Sequence, residues 1–227
     1  MGIVEIIFWI SISLIIYSTI IYLILLNLFR NNDYVVDENY LPTITLIICA
    51  YNEEKNILNK FKNVEDLEYP MEKIQIILVD DGSDDRTVEI AKSFNFVNIL
   101  SLDRSGKTSA QNEAVKIAKN DILVFSDANS IYHPNAIKKL ARNFADQRVG
   151  VVCGELRYHE QKSEESIYWN YEIAIKKGES RHGWLIGANG SIYAVRRESY
   201  VPLPKDAISD HLEPIKVYGN GLDIIYE

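Results

Sequence analysis

Between Ile6 and Phe29 the chain reads IIFWISISLIIYSTIIYLILLNLF, without a single charged side chain. A quarter of the whole sequence is Asp, Glu, Lys or Arg, so this run stands apart from its surroundings. It is too long for a strand, and as a helix it has no polar face to turn toward water. Such a helix spans ~36 Å at ~1.5 Å per residue, more than the ~30 Å hydrocarbon layer of a bilayer. The sequence therefore predicts a transmembrane helix within residues 1–30, crossing the cell membrane once. A cleavable signal peptide fits less well, because the apolar run is too long and no Lys or Arg precedes it. Glu5 flanks the run on one side and Arg30 on the other; the single arginine points to a cytoplasmic domain beyond it.

Residues 31–40 (NNDYVVDENY) are polar and acidic and read as a juxtamembrane linker. Residues 41–227 then alternate β-branched apolar runs with stretches of helical period. Strands are predicted over 43–50 (TITLIICA), 74–79 (IQIILV), 97–102, 122–125, 150–155, 191–196 and 223–226. Helices are predicted over 53–63, 87–94, 109–119, 134–144, 164–177 and 210–218. Ser83 or Asp84 reads as the N-cap of the second helix, and Pro214 restricts the last one near its start. The βα alternation of the first half, with a less regular second half, predicts one α/β domain with a Rossmann-like, mixed central sheet.

A net charge of −8 argues against a nucleic-acid surface. Cys49 and Cys153 lie inside apolar runs and read as buried, reduced thiols. His133, His159, His182 and His211 show no metal-ligand spacing.

In open α/β sheets ligands bind beyond the carboxyl ends of the strands. There the sequence places Tyr51, Asn52 and Glu53 after the first strand, and Asp80, Asp81, Gly82 and Ser83 after the second. Asp127, Ala128 and Asn129 follow the fourth. Clustered carboxylates repel unless something compensates. A nucleotide with a divalent cation does so: Mg²⁺ and Mn²⁺ take oxygen ligands and bridge diphosphates, and an aromatic such as Tyr51 stacks on a base. The plainer alternatives are a surface tyrosine and a capped turn, but a cap leaves Asp80 and Asp81 without a role.

The segments PTITLIICAYNEEKNI, ILVDDGSDDRT, GKTSAQNEAVKIA, VFSDANS and GANGSIYAVRRE stand in an order and spacing that resemble the family-2 inverting glycosyltransferases of GT-A fold. The resemblance runs from about Leu41 to the end of the sequence. It implies that Tyr51 and Asp81 contact the nucleotide base, that Asp80 and Glu53 line the same pocket, and that Lys107 lies near the nucleotide. Asp127 takes the first position of the family's D-x-D signature, which holds Mg²⁺ or Mn²⁺ against the donor diphosphate. Asn129 stands where a second aspartate is usual; its amide oxygen can ligate a hard cation but brings no charge.

Asp210 matches the aspartate that deprotonates the acceptor, although the acid usually beside it is replaced by Ser209 and His211. The segment Gly187–Gly190, with Gly187 and Asn189, is expected on the acceptor side. Trp184, with Trp169 and Tyr168, offers a sugar or lipid platform, although such aromatics serve a core more often. Arg196 and Arg197 reach either a phosphate or solvent.

The implied partners are a nucleotide-sugar donor, most simply UDP-linked, and a sugar or lipid-linked acceptor. No Q-x-x-R-W motif or further apolar span follows, so a short anchored enzyme, a fragment and one half of a split system with a partner membrane subunit all remain open. The chief rival function is a catalytically silent nucleotide-binding subunit. A sugar nucleotidyltransferase would need a Gly-rich loop where the chain has CAYNEE.

Overall fold

The computed structural model describes residues 2–28, 32–157 and 163–227; Arg30 and His159 lie outside the described residues. Seven strands form one sheet in the order β3-β2-β1-β4-β6-β5-β7. Their ranges are β1 Ile44–Ala50, β2 Ile74–Asp80, β3 Val97–Ser101, β4 Ile122–Asp127, β5 Val149–Cys153, β6 Ile192–Arg196 and β7 Asp223–Tyr226. β1 runs parallel to β2 and β4, and β2 parallel to β3. β6 is antiparallel to both β4 and β5, while β5 and β7 are parallel. The sheet is thus mixed, with one reversed strand inserted in its second half.

β1 shows why these runs become central strands. Ile44, Leu46 and Ile48 enter one core with Ile57, Phe61 and Val64, and Ile47 enters the opposite core with Ala110 and Ala114. Both faces are covered, so polar alternation is absent and β-branched residues fill the run. The helices that supply this cover include α2 (Ile57–Glu65), α3 (Thr87–Ala91), α4 (Lys107–Ile117) and α5 (Ala136–Arg142). α6 (Ser163–Arg181) and α7 (Ser209–Gly219) belong to the second half.

The N-terminal helix α1 covers Ile3–Leu28, long and apolar enough to cross a membrane. It widens into a π-turn at Tyr17–Ile21. Leu26 is its one buried residue among those described. Leu26 can pack there because α6 carries Gly178: a Cβ at that position would meet Leu26 Cδ1 at 2.9 Å and Cβ at 3.0 Å. Gly178→Val is therefore expected to cost ~1–3 kcal/mol by overpacking, measured as a lower melting temperature of the full chain in detergent.

The stretch read as a linker is docked along the domain. Asn32 N donates to Arg181 O at 2.7 Å, Val35 N to Asp146 Oδ2 at 3.0 Å, and Arg148 Nη2 to Asp33 O at 2.6 Å. Tyr34 Oη reaches Asp223 Oδ2 at 3.2 Å, and Glu38 pairs with Arg142. Arg148 holds the Asp146 carboxyl well below the usual carboxylate range. Hydrogen bonds to distant carbonyls leave no trace in hydropathy, so a polar stretch that docks reads like one that does not.

Arg196 belongs to the fold rather than to a phosphate site. It is buried, and its guanidinium donates to the carbonyls of Phe144, Asp146 and Val149. Arg197 Nε donates to Asn120 O at 2.7 Å. Both cysteines are free; Cys153 is buried, and burial pushes its thiol up to about 12.

Candidate functional site

Strand register gathers the polar clusters on one edge of the sheet. Ala50 lies beside Asp80, and Cys49 beside Asp127. β6 runs the other way, with Ile192 beside Ser126, so the segment entering β6 arrives at the same edge where β4 leaves. Five chain segments thus meet there: Tyr51–Glu53, Asp80–Ser83, Arg104–Lys107, Asp127–Asn129 and Gly187–Ser191.

The loops after β1 and β2 are laced together. Asn52 takes a left-handed conformation (φ 54°), which an Asn tolerates; its N–H donates to Ser83 Oγ and its Oδ1 accepts from Asp84 N. Ser83 and Asp84 therefore tie loops instead of capping α3. The N-cap position falls to Arg86, and Asp85 just before it accepts the Thr87 N–H on Oδ1 at 2.9 Å. Glu53 is half-buried and accepts from Asn56 Nδ2 at 2.7 Å. Asp80 is buried, and its Oδ1 accepts the Ser83 N–H at 3.2 Å.

Asp81 is buried with both carboxylate oxygens engaged. Oδ1 accepts from Ser105 N at 2.7 Å and Oδ2 from Arg104 Nη1 at 2.6 Å, and the Gly106 N–H adds to both. The Arg104 guanidinium also lies 3.5 Å over the Tyr51 ring. Tyr51 and Asp81 are thus neighbours joined by an arginine whose guanidinium covers one face of the Tyr51 ring. A base reaching Asp81 has to displace Arg104 or share its guanidinium. Arg104 escaped the sequence reading, although it stands three residues before Lys107.

The acidic centre lies one strand further along. Lys107 Nζ is 2.5 Å from Asp127 Oδ1, and Ser191 Oγ donates to Asp127 Oδ2 at 3.3 Å. Asp210 approaches the same place from α7. A Cβ on Gly190 would stand 2.6 Å from Asp210 Oδ2 and 3.2 Å from Lys107 Nζ, so only a glycine admits both side chains. Asp127, Lys107 and Asp210 therefore surround the Gly190–Ser191 backbone.

Pro214 helps fix Asp210. A proline has no N–H for the carbonyl four residues earlier, which here belongs to Asp210. The Ala188 N–H takes that carbonyl at 2.7 Å, tying the head of α7 to the glycine-rich segment.

Two adjacent cavities open from this backbone. One, of about 580 Å³, is lined by Trp169, Glu172, Lys176, Asn189, Asp210 and His211, among others. The second, of about 850 Å³, takes in Asp127, Asn129, Ser191 and Glu155. Asp127 and Asp210 thus face different cavities on either side of the Gly190–Ser191 backbone, and Asp81 is covered by Arg104, so the three carboxylates do not share one open rim. Gly187 and Asn189 line the first cavity, where Asn189 Oδ1 accepts from Lys176 Nζ at 2.5 Å. Trp184 lies outside that lining, with its ring edge toward His182 at 5.8 Å between centroids. Trp169 is the tryptophan on the cavity wall.

Two buried charged residues add to what sequence reasoning found. Lys60 lies over the Tyr132 ring and donates to Ser130 O at 2.8 Å, bracing the turn after Asp127; burial drives its ammonium down to about 7. Glu213, one turn beyond Asp210, is fully buried, and burial raises its carboxyl from the ordinary 4.5 to about 7. Its Oε1 accepts from Val201 N at 3.1 Å, and Oε2 has no partner among the described residues.

An acid whose folded pKa is raised binds its proton more tightly when folded. Its cost is absent below pH ~4.5, grows through pH 7, and reaches on the order of 3 kcal/mol above that. Glu213→Gln is expected to raise the melting temperature at pH 8 and to flatten the rise in stability that the natural chain shows between pH 8 and pH 5. Equal melting curves for both proteins across that range would contradict this.

The residues present fit a divalent cation. Asp127 already has a cationic group against it, the Lys107 ammonium, and the exposed Asn129 adds an amide oxygen two residues on. Among the described residues no three His, Cys, Asp or Glu side chains converge as a closed metal site. Such a sparse set suits a hard cation that takes its remaining oxygens from a bound diphosphate.

The mixed sheet, with one reversed strand beside β4 and an acidic edge where β4 ends, has the GT-A fold of the glycosyltransferases that the chain matches. Residues 45–201 match the domain described as glycosyl transferase family 2, and the chain belongs to that family. It is 33% identical over 139 residues to poly-beta-1,6-N-acetyl-D-glucosamine synthase of Staphylococcus aureus, a match covering 59% of this chain and 33% of that protein. The chain thus matches about a third of the length of that curated relative.

Among solved structures it resembles the mannosyltransferase PcManGT from Pyrobaculum calidifontis in complex with GDP-Man and Mn²⁺. There the TM-score is 0.83 at 22% identity, covering 96% of this chain and 65% of that one. It also resembles S. aureus TarS 1-349 in complex with UDP-GlcNAc, with a TM-score of 0.61 at 18% identity, covering 82% and 56%. At these identities the two structures speak for the fold.

Proposed function

We propose that the chain is a membrane-anchored inverting glycosyltransferase that moves a sugar from a nucleotide diphosphosugar, a UDP-sugar in the simplest case, to an acceptor hydroxyl. The observation that carries this reading is the convergence of Asp127, Lys107 and Asp210 on the Gly190 backbone. The donor lies along the edge from Tyr51 and Asp81 to Asp127, and the acceptor enters the cavity that holds Asp210. Asp210 takes the proton of the acceptor hydroxyl as its oxygen bonds to the anomeric carbon. The bond from that carbon to the diphosphate breaks, and the electron pair leaves with the phosphate oxygen. A single displacement with inversion needs one base, and Asp210 is the carboxylate that stands beside Gly190 to serve as it.

Lys107 turns from Asp127 toward the diphosphate when the donor enters, offsetting its charge. Mg²⁺ or Mn²⁺, held by Asp127 and Asn129, would supply further positive charge at the leaving group. Support for a cation and for nucleotide sugars comes from what the similar structures contain: GDP-Man with Mn²⁺ in one, UDP-GlcNAc in the other. Anchoring rests on α1. The cytoplasmic placement of the domain rests on Arg30 alone.

The replacement of the usual second acids by Asn129 and Ser209 favours one rival, a silent nucleotide-binding subunit. Purified full chain in nanodiscs, given UDP-GlcNAc, UDP-glucose or GDP-mannose with Mn²⁺, separates the two. Release of nucleoside diphosphate is the expected result. Tight binding without release from any donor would favour the silent subunit. Tyr51→Ala is expected to weaken UDP binding by about tenfold through lost stacking, measured by calorimetry.

A further inference from the structure

Lys60 is fully buried on α2, whose other buried residues are Ile57, Phe61 and Val64. Burying an ammonium is costly unless it is paired with something. Its Nζ donates to Ser130 O at 2.8 Å and lies 3.7 Å from the centre of the Tyr132 ring. Asn63, one turn on, fastens the same stretch. Its Nδ2 donates to Tyr132 O at 2.8 Å, and its Oδ1 accepts the Tyr132 N–H at 2.7 Å. Positions three apart share a helix face, so α2 grips the backbone of 130–132 through Lys60 and Asn63 together.

The gripped stretch leads back to Asp127 by two routes. Along the chain it closes the turn that carries Asn129, where Ser130 N donates to Asp127 O at 3.4 Å. Across space, the buried Tyr132 donates its hydroxyl to Ser191 O at 3.2 Å, and Ser191 Oγ donates to Asp127 Oδ2 at 3.3 Å. Asp127 and the turn after it are therefore tied to α2 through Lys60, Asn63, Tyr132 and Ser191.

Resting on the transferase reading above and on its cation, we propose that Lys60 is a positioning residue: with Asn63 and Tyr132 it holds the 127–130 turn in the shape that lets Asp127 and Asn129 take one Mg²⁺ or Mn²⁺ together. A carboxylate and a neutral amide are a sparse ligand pair, so binding depends on both oxygens being in place at once. Groups behind the ligands that fix their spacing offset part of what a second carboxylate would contribute.

The sign of the effect separates a brace from a charge. Burial works against the Lys60 ammonium and the Asp127 carboxylate works for it, so the two charges act on each other. As a charge alone, Lys60 opposes a cation at Asp127, and its removal would strengthen metal binding. As a brace, its removal weakens metal binding.

The test is calorimetric UDP binding to the full chain in nanodiscs, measured across a Mn²⁺ titration. Lys60→Met keeps an unbranched apolar stem without the ammonium, and Tyr132→Phe keeps the ring without the hydroxyl. Both are expected to raise the half-saturating Mn²⁺ concentration by about 10–100-fold and to leave metal-free UDP affinity within about twofold. Lys62→Met, an exposed position on the same helix, is expected to change neither. Amide exchange at 128–132 is expected to quicken in Lys60→Met while β1 stays as it was. Unchanged or tighter Mn²⁺ binding in Lys60→Met would overturn the proposal; if that variant does not fold, the same result in Tyr132→Phe does so. Equal loss of UDP affinity with and without metal would overturn it as well, and so would a weakened metal response with unchanged exchange at 128–132. A natural chain whose UDP binding ignores Mn²⁺ would contradict the cation of the transferase reading and remove the proposal with it, whereas natural and variant chains that respond alike would leave that reading standing.

Discussion

Asp210→Asn is expected to lower kcat for sugar transfer by about 10³-fold and to leave UDP affinity within about twofold. General-base catalysis supplies ~10²–10⁴-fold, and an amide of the same shape cannot take the proton. Asparagine keeps the size of the side chain, so it neither fills the space beside Gly190 nor disturbs the Ala188 N–H bond to the residue-210 carbonyl. The measurement is steady-state nucleotide release with acceptor, paired with calorimetric UDP binding. A variant that binds UDP normally and turns over at the natural rate would remove Asp210 from the base position. Parallel loss of binding would mean that Asp210 holds the donor instead.

Asp127→Ala is expected to reduce kcat/KM for the donor by on the order of 10²–10³-fold and to abolish any strengthening of UDP binding by Mn²⁺. The carboxylate stands at the end of β4 with Lys107 2.5 Å away and Ser191 behind it. Its removal takes away the ion-pair partner of Lys107 and leaves a divalent cation with only the Asn129 amide from this pair. Titrating Mn²⁺ at fixed UDP separates the effects: the natural chain should show binding that tightens with the metal, and the variant should show none. Binding that tightens equally in both would move the cation away from Asp127.

The sheet was largely legible in the sequence. β1, β2 and β4 are runs buried on both faces, and a continuous apolar stretch between turn residues marks such a strand almost to the residue. Helix starts were harder. α2 begins at Ile57, after a turn in which Glu53 O accepts from Asn56 N and Ile57 N, and α3 starts after Arg86, with Asp85 and not Ser83 or Asp84 accepting its first N–H. A string of Ser and Asp offers several equivalent caps, and only the loop across the gap, through Asn52, decides among them.

Motif positions located the edge of the site, but not the state of each side chain within it. Asp81 is consumed by Arg104 and two backbone amides. Arg196 is consumed by three carbonyls, and Trp169 rather than Trp184 reaches the cavity. Those outcomes depend on residues far away in the chain, and no local pattern carries them. The docking of 32–40 and of α6 along α1 is of the same kind.

The most direct measurement is the structure of the full chain with UDP and Mn²⁺ bound. It should show the uracil at Tyr51 with Arg104 displaced or sharing its guanidinium, the ion on Asp127, and the terminal phosphate turned toward the cavity of Asp210. Nucleotide density away from this edge, or an ion with no contact to Asp127, would contradict the site described above.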